Sequence, residues 1–464
     1  MFFRSMPCSR MGVGVFAKPT EHCSVLPVAV CAALLISVAP LGVANSQSLS
    51  ASDTTALQLR SVYAAVARDN PRAAAARAMA DAKAAVVPGA RRMPDPQLQL
   101  GLMDYMLPQL APMKTLGMTT LQLMQMVPVA GKLGLAGRIA STRAEGETEM
   151  AREVAWAVRA QSAMAFYEVY KTDVSLGVAR ETLRLLLDLQ RMSEAMYRVG
   201  ESQQADVLRA QVEVAKMTED TVRMGAMRTA AASRLNSLAD LAPDGPVGMP
   251  ELPTFPAEVP TLASLISSAE AERPMVRSGE RALDAAVTGE ELARRDLWPD
   301  LQVGIQYAQR GGEMGTERMG SLMVGASLPI FARDRQFKMR DEAAAMRQVA
   351  AADLAAVRAD TRARVAAVHA DLIRARRLAV LYRTTILPQA QAAVTSALAA
   401  YRVGRVNFMT LLDNQMAVNR FRQELAALEA EEGQDWADLE MLLGRELLSA
   451  NSSARDADAS GATR

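Results

Sequence analysis

Thioethers are the most conspicuous potential ligands in this sequence. Met103, Met106, Met113, Met118, Met124 and Met126 crowd into one stretch, just after Met93, and Met314, Met319 and Met323 form a second group. A thioether is a soft donor suited to Cu(I) and Ag(I); the competing reading is apolar filler and lipid contact. Other chemistry is thinly supplied. Cys8, Cys23 and Cys31 all lie near the N-terminus, and beyond them the sole histidine is His369. It sits in a helical pattern, where a surface or packing role fits better than ligation. Neither a Cys–His pair nor a Ser–His–Asp set stands out. Gly131-Lys132-Leu133 lacks the Ser or Thr that a phosphate loop needs after its lysine. No catalytic residue and no cofactor is expected, so energy must come from a partner. Asp206 and Asp413 each follow a Tyr-Arg-Val-Gly by a few turns; taken alone, they read as solvated helix charge.

The segment that positions those two aspartates occurs twice. Tyr197-Arg198-Val199-Gly200 is repeated as Tyr401-Arg402-Val403-Gly404, an offset of 204 residues. The offset holds downstream, where Leu208, Gln211, Val214 and Leu235 match Leu412, Gln415, Val418 and Leu439. Upstream it slips a little. Leu98-Gln99-Leu100-Gly101 reads again as Leu301-Gln302-Val303-Gly304, and Asn70-Pro71 stands where Arg273-Pro274 does. A unit of roughly 200 residues is far longer than a solenoid repeat of about 20 to 50. The chain is an internal duplication.

Aromatic residues are only 4%, while Ala, Leu, Arg and Glu are plentiful, a bias toward long helices. The net charge is +1, with no basic surplus, so no nucleic-acid partner is expected. Arg4, Arg10 and Lys18 precede an apolar run from Val25 to Val43, and Ala44 and Ser46 follow. That is the pattern of a secretory signal peptide over residues 1–44. A single membrane anchor is the alternative, but Pro27 and Pro40 interrupt the run. No cysteine stands at the cleavage point to carry a lipid, and the exported chain would hold no disulfide.

Each repeat has the same order. The first, residues 45–242, opens with an Ala-rich helix broken at Asn70-Pro71; the second, 261–449, opens with one broken at Arg273-Pro274. Leu98, Leu100 and Leu102 alternate with polar residues, as do Leu301, Val303, Ile305 and Tyr307, and Leu322, Val324, Ala326 and Leu328. Period two with one apolar face is strand. This predicts β-hairpins over 97–127 and 301–329, with long loops at 104–116 and 310–318. A helix from about Arg138 to Met196 follows, roughly 60 residues or ~90 Å. Its seam is Val178, Thr182, Leu185, Leu189, Met192 and Met196. The glycine of Tyr-Arg-Val-Gly then turns the chain into a return helix. In the second half only Pro388 interrupts the helical stretch. Six prolines make 243–260 an extended, structureless linker. The polar tail 450–464 is expected to be disordered.

Helices this long with a narrow apolar stripe must pack on each other and on neighbouring subunits. Four strands with one lipid-compatible face suit a transmembrane barrel wall, but four cannot close a barrel. A shared barrel in an oligomer resolves both demands. Together these features resemble the TolC family of outer-membrane efflux channels, over residues 55–450. The stretch from Leu387-Pro388-Gln389-Ala390 through Tyr401 to Leu411-Leu412-Asp413-Asn414-Gln415 is similar to that family's most recognisable segment. The resemblance implies a mainly α fold with a small β part: long antiparallel coiled-coil helices plus four transmembrane strands per chain. It implies a homotrimer in the outer membrane of a Gram-negative bacterium, with a twelve-stranded barrel in lipid and a helical tunnel in the periplasm. A periplasmic adaptor (membrane fusion protein) and an inner-membrane pump of the RND type would complete the system.

Pro94-Asp95-Pro96 and Gln125-Met126-Val127-Pro128-Val129-Ala130-Gly131-Lys132-Leu133 resemble the heavy-metal branch, the CzcC and CusC type. The acylated N-terminal cysteine of some members is missing. A multidrug channel is the alternative, and a non-channel periplasmic coiled-coil scaffold a further one. In the family a ring of aspartates and a tyrosine-centred network close the periplasmic tip. The resemblance makes Asp413 the ring aspartate, Asp206 the first-half network aspartate and Tyr401 the network tyrosine. Thr410 stands in place of a second ring aspartate and Val406 in place of a network arginine, which leaves Arg402 or Arg405 to pair with Asp206. The turns at Tyr197, Gly200, Tyr401 and Gly404 would dock the adaptor.

Overall fold

The structure, a computed structural model, describes residues 56–448 except 107, 109–110, 113–116 and 313–314. The expected signal peptide, the tail 450–464, Met113 and Met314 lie outside the described residues.

Strand β1 (Leu57–Gln58) leads into α1 (Leu59–Asp69) and α2 (Pro71–Ala90). Asn70 divides the helices. Its Oδ1 accepts from the Arg72 and Ala73 backbone N–H groups at 2.9 and 3.1 Å, and Pro71 takes the first helical position, where its missing N–H is not needed. Strand β2 (Gln97–Met103) returns as β5 (Met118–Val127), with a minor hairpin of β3 (Tyr105–Met106) and β4 (Ala111–Pro112) at the far end. Helix α3 (Lys132–Arg198) has 67 residues, ~100 Å at 1.5 Å per residue. Helix α4 (Gln204–Leu238) runs back, and β6 (Pro250–Glu251) leads to the second copy. That copy is α5 (Leu262–Glu272), α6 (Pro274–Arg295), β7 (Leu301–Gly312), β8 (Gly315–Ala326), α7 (Gln336–Leu381), α8 (Leu387–Arg402) and α9 (Phe408–Leu443).

Several expectations are corrected. Helix α3 begins at Lys132, not Arg138; Lys132 Nζ is held by the Trp298 carbonyl and by Asp300 Oδ1, both at 2.9 Å. The expected loop at 310–318 is strand almost throughout. Pairing runs to Gly312 and Gly315, and Arg310 donates to Glu317 at 2.7 Å; glycine and charge in that stretch hid its period. The linker 243–260 is not structureless. Asn236 donates to the Ala242 and Gly245 carbonyls, Val247 is buried, and β6 pairs in parallel with β1. Proline excludes helix there without excluding packing. The α3 seam passes through buried Leu186, while Leu185 is exposed. Pro388 does not end the helix: a π-helical turn, Tyr382–Ile386, precedes it. That wider turn, with the Leu387 N–H bonded to the Tyr382 carbonyl, admits a residue with no N–H of its own.

The core lies in three clusters along the bundle. One gathers Val62, Phe166, Tyr167 and Leu235; another holds Leu265, Leu372, Trp436 and Leu439. The third, near the turn ends, holds Leu186, Phe408, Leu411 and Tyr401. The Tyr167 ring lies so close to Gly433 that a Cβ there would come within 2.3 Å of it.

Candidate functional site

Four strands form one antiparallel sheet in the order β2-β5-β7-β8. Antiparallel partners share a face, so register sorts every side chain. One face carries the row Leu98, Leu123, Ile305 and Leu322, then Leu100, Leu121 and Tyr307, then Val303 and Val324. These are exposed, and an exposed apolar band of this extent needs a covering. The opposite face carries a row of Gln99, Gln122, Gln306 and Ser321. Flanking it are Gly101, Thr120, Ala308 and Met319 on one side, and Gln97, Met124, Gly304 and Met323 on the other. Strands β2 and β8 each have an unpaired edge among the described residues. Such edges present unpaired backbone N–H and C=O groups to which further strands can add.

The methionines are sorted by the same rule. Met103, Met118, Met124, Met126, Met319 and Met323 all fall on the glutamine face, not on the leucine face. These six therefore lie opposite the exposed leucine band. The signal was available in the parity of their numbers against Leu98, Leu121 and Leu322. Met106 lies apart, in β3.

At the other end of the bundle, α3 and α8 finish in the two Tyr-Arg-Val-Gly turns. Gly200 and Gly404 adopt φ of 80° and 69°, a left-handed conformation that closes a helix. Glu201 N–H bonds the Met196 carbonyl, and Arg405 N–H the Ala400 carbonyl, each at 2.9 Å. The backbones are twins, but the side chains differ. Tyr197 is 46% exposed, whereas Tyr401 is 4% exposed and packs edge-on to Phe408, centroids 5.8 Å apart. The Tyr401 hydroxyl is buried without a well-aligned hydrogen bond. Burial raises its pKa and the Asp206 charge adds to this, while the neighbouring Ser202 hydroxyl lowers it.

Asp206 and Tyr401 are thus brought together, through a residue that sequence reasoning missed: Ser202 Oγ donates to Asp206 Oδ2 at 3.1 Å. Arg402, Arg405 and Asp413 are exposed, and none makes an ion pair with the described residues of its own chain. His369 Nε2 lies 3.2 Å from the Pro260 carbonyl, a packing contact. Among the described residues no three His, Cys, Asp or Glu side chains are grouped to hold a metal ion.

The described helices include none long and apolar enough to cross a membrane. Residues 265–445 match the family model described as outer membrane efflux protein. No curated protein matches the chain in sequence. Solved structures with this fold include the outer-membrane channel OprN, at TM-score 0.71 and 18% identity over 83% of this chain and 89% of that one. They include CusC, in structures concerned with folding and transmembrane channel formation, at 0.72 and 17% over 84% and 92%. They also include the outer membrane protein VceC of Vibrio cholerae, at 0.72 and 16% over 84% and 96%. The fold is therefore the mainly α, partly β architecture of outer-membrane channels.

Proposed function

We propose that this chain is the outer-membrane channel of a tripartite efflux system, a passive conduit that carries cargo from the periplasm or an inner-membrane pump to the exterior. The observation that carries the reading is the sheet: one apolar exposed face, one glutamine-rich face and two open edges. Three copies would join those edges into twelve strands with no edge left, which is what a lipid-embedded sheet requires. The α3–α4 and α7–α9 pairs would extend the tunnel into the periplasm. Gly200 and Gly404 would present the turns at Tyr197 and Tyr401 to a periplasmic adaptor, coupled to an inner-membrane pump of the RND type. The cargo is a heavy-metal cation, in keeping with the Pro94–Pro96 and Gln125–Leu133 segments.

At rest the tunnel must be shut. Three copies of Asp413 near one axis would form a ring of like charge that attracts cations. Tyr401, Ser202 and Asp206 would hold the second-half turn against the first, with Arg402 and Arg405 free to meet a neighbouring copy.

The expected result is a heat-resistant trimer in the outer-membrane fraction that gives stepwise conductance in planar bilayers. Recovery of the leaderless chain as a soluble monomer would overturn the reading and favour the periplasmic scaffold. A deletion strain that loses drug tolerance but keeps metal tolerance would make the cargo organic.

A further inference from the structure

The glutamine face of the sheet is nearly free of charge. Among its described residues the charged ones are Arg310 and Glu317, and they pair with each other at 2.7 Å. A wall without a free carboxylate or imidazole offers little to hard or borderline divalent cations, whose ligands are oxygen or nitrogen donors. It does offer neutral sulfur: Met126 and Met319 stand singly in their rows, and two rows bring methionines together. At the end remote from the helices, Met103 and Met118 are direct cross-strand partners, in the same row as Arg310, whose charge is offset by Glu317. Side chains in such a pair stand about 5 Å apart at Cβ, within reach of one ion between two flexible thioethers. At the end nearer the helices, Met124 and Met323 lie on either side of Gly304. The two side chains converge over Gly304: a Cβ built there would sit 3.3 Å from Met124 Cγ and 3.6 Å from Met323 Cε, so the absence of one lets them approach each other. Between the two pairs lie the row Gly101, Thr120, Ala308 and Met319 and then the row of glutamines.

We propose that these two methionine pairs are stations for a soft monovalent cation, Cu(I) or Ag(I), on the inner wall of the barrel. The inference rests on the channel reading above, because that reading makes the glutamine face the lumen. Two thioethers are too few to trap the ion, and a conduit needs sites weak enough to release it. Carboxamide oxygens of the intervening row can carry hydrated ions without competing for soft ones. Threefold repetition would place three stations at each level around the pore. The ion passes from pair to pair without a change of oxidation state, so no redox partner is required.

The test uses the full-length trimer in planar bilayers with a chloride-free nitrate electrolyte and silver nitrate as the probe. Micromolar Ag(I) is expected to reduce the potassium current reversibly. The variant M103L/M118L/M124L/M323L is expected to keep the potassium conductance and to raise the half-blocking Ag(I) concentration at least about tenfold. Met346→Leu, an exposed methionine in α7 rather than in the sheet, should leave the block unchanged. A channel that conducts but ignores Ag(I), or a fourfold variant as sensitive as wild type, overturns the inference while leaving the channel reading intact. Absence of conductance in the wild type overturns the channel reading. In that case, and if the fourfold variant fails to assemble, X-ray absorption of Ag(I)-loaded protein decides. Sulfur scatterers lost in the separate variants M103L/M118L and M124L/M323L support the stations; oxygen or nitrogen scatterers alone refute them.

Discussion

The two Tyr-Arg-Val-Gly turns have one sequence and one backbone, yet opposite surroundings. Tyr197 reaches solvent; Tyr401 is enclosed beside Phe408, Ser202 and Asp206. The turn itself is local, fixed by a glycine at positive φ and two short-range hydrogen bonds. Burial is decided by what lies across from it. The helix entries diverge in the same manner. Asn70 caps α2 with its own side chain. At the matching position Arg273 is 4% exposed and donates to Glu153 Oε1 at 2.8 and 3.1 Å and to Thr361 Oγ1 at 2.8 Å. The other Glu153 oxygen accepts from the Met275 N–H, so α3 supplies the cap that the second copy lacks. Duplication preserved the positions while the partners were rebuilt.

The largest expected effect comes from breaking the borrowed cap. Glu153→Ala leaves a buried guanidinium uncompensated and should cost ~3–5 kcal/mol, whereas Asn70→Ala, which loses the cap and the bond from Asn70 Nδ2 to the Leu238 carbonyl, should cost ~1–2 kcal/mol. Denaturant unfolding of the two variants measures the difference; equal losses would mean that the entries are equivalent after all. Next is Gly433→Ala, which drives a methyl into the Tyr167 ring and should cost ~1–3 kcal/mol. Its counterpart at the same offset, Thr229, is exposed, so Thr229→Ala should shift the thermal midpoint little.

A third contrast concerns pH. Asp435 and Asp438 stand in α9 where α4 has Ala231 and Arg234. Burial, then the charges of Glu431, Asp371 and Asp438, pushes the Asp435 carboxyl up to about 8, against a lowering by Arg374; burial pushes Asp438 up to about 6. A folded-state pKa above the unfolded value means that the native chain holds the proton more tightly. These groups therefore favour folding at low pH, and their contribution falls as pH rises from near 4 toward 8. Asp435→Asn should flatten that slope and raise the thermal midpoint most above pH 8. An unchanged pH profile would remove Asp435 from the account.

The smallest effects belong to the tips. A hydrogen bond such as that from Ser202 to Asp206 is worth only about 1 kcal/mol, but the proposed gate, if poised within a few kcal/mol, responds to it. Asp206→Ala combined with Tyr401→Phe should raise the open fraction in single-channel recordings. Asp413→Ala should weaken block by divalent cations and reduce cation preference. Tyr197→Phe, at the exposed turn, should change neither. Conductance and block identical to wild type in the first two would place the gate elsewhere.

Local and periodic features were legible in the sequence alone. The strand alternation, the glycine turns and the proline after Asn70 each depend on residues a few positions apart, so they survive without a partner, and the duplication is a match of one stretch of sequence with another 204 residues on. The mainly α class followed from them. What sequence left open depends on residues far apart in the chain. The pairing of Glu153 with Arg273 and of β1 with β6 has no local signature, and neither has the meeting of Ser202 with Tyr401. Linker 243–260 read as structureless because its prolines forbid regular hydrogen bonding, but burial of Val247 and the β1–β6 pairing order it from outside. Leu185 and Leu186 both suit an apolar seam, and only the packing of α3 against its neighbours chose Leu186. The methionines show the boundary most clearly: their parity was in the sequence, but only the register across four strands placed sulfur, glutamine and Gly304 on one face.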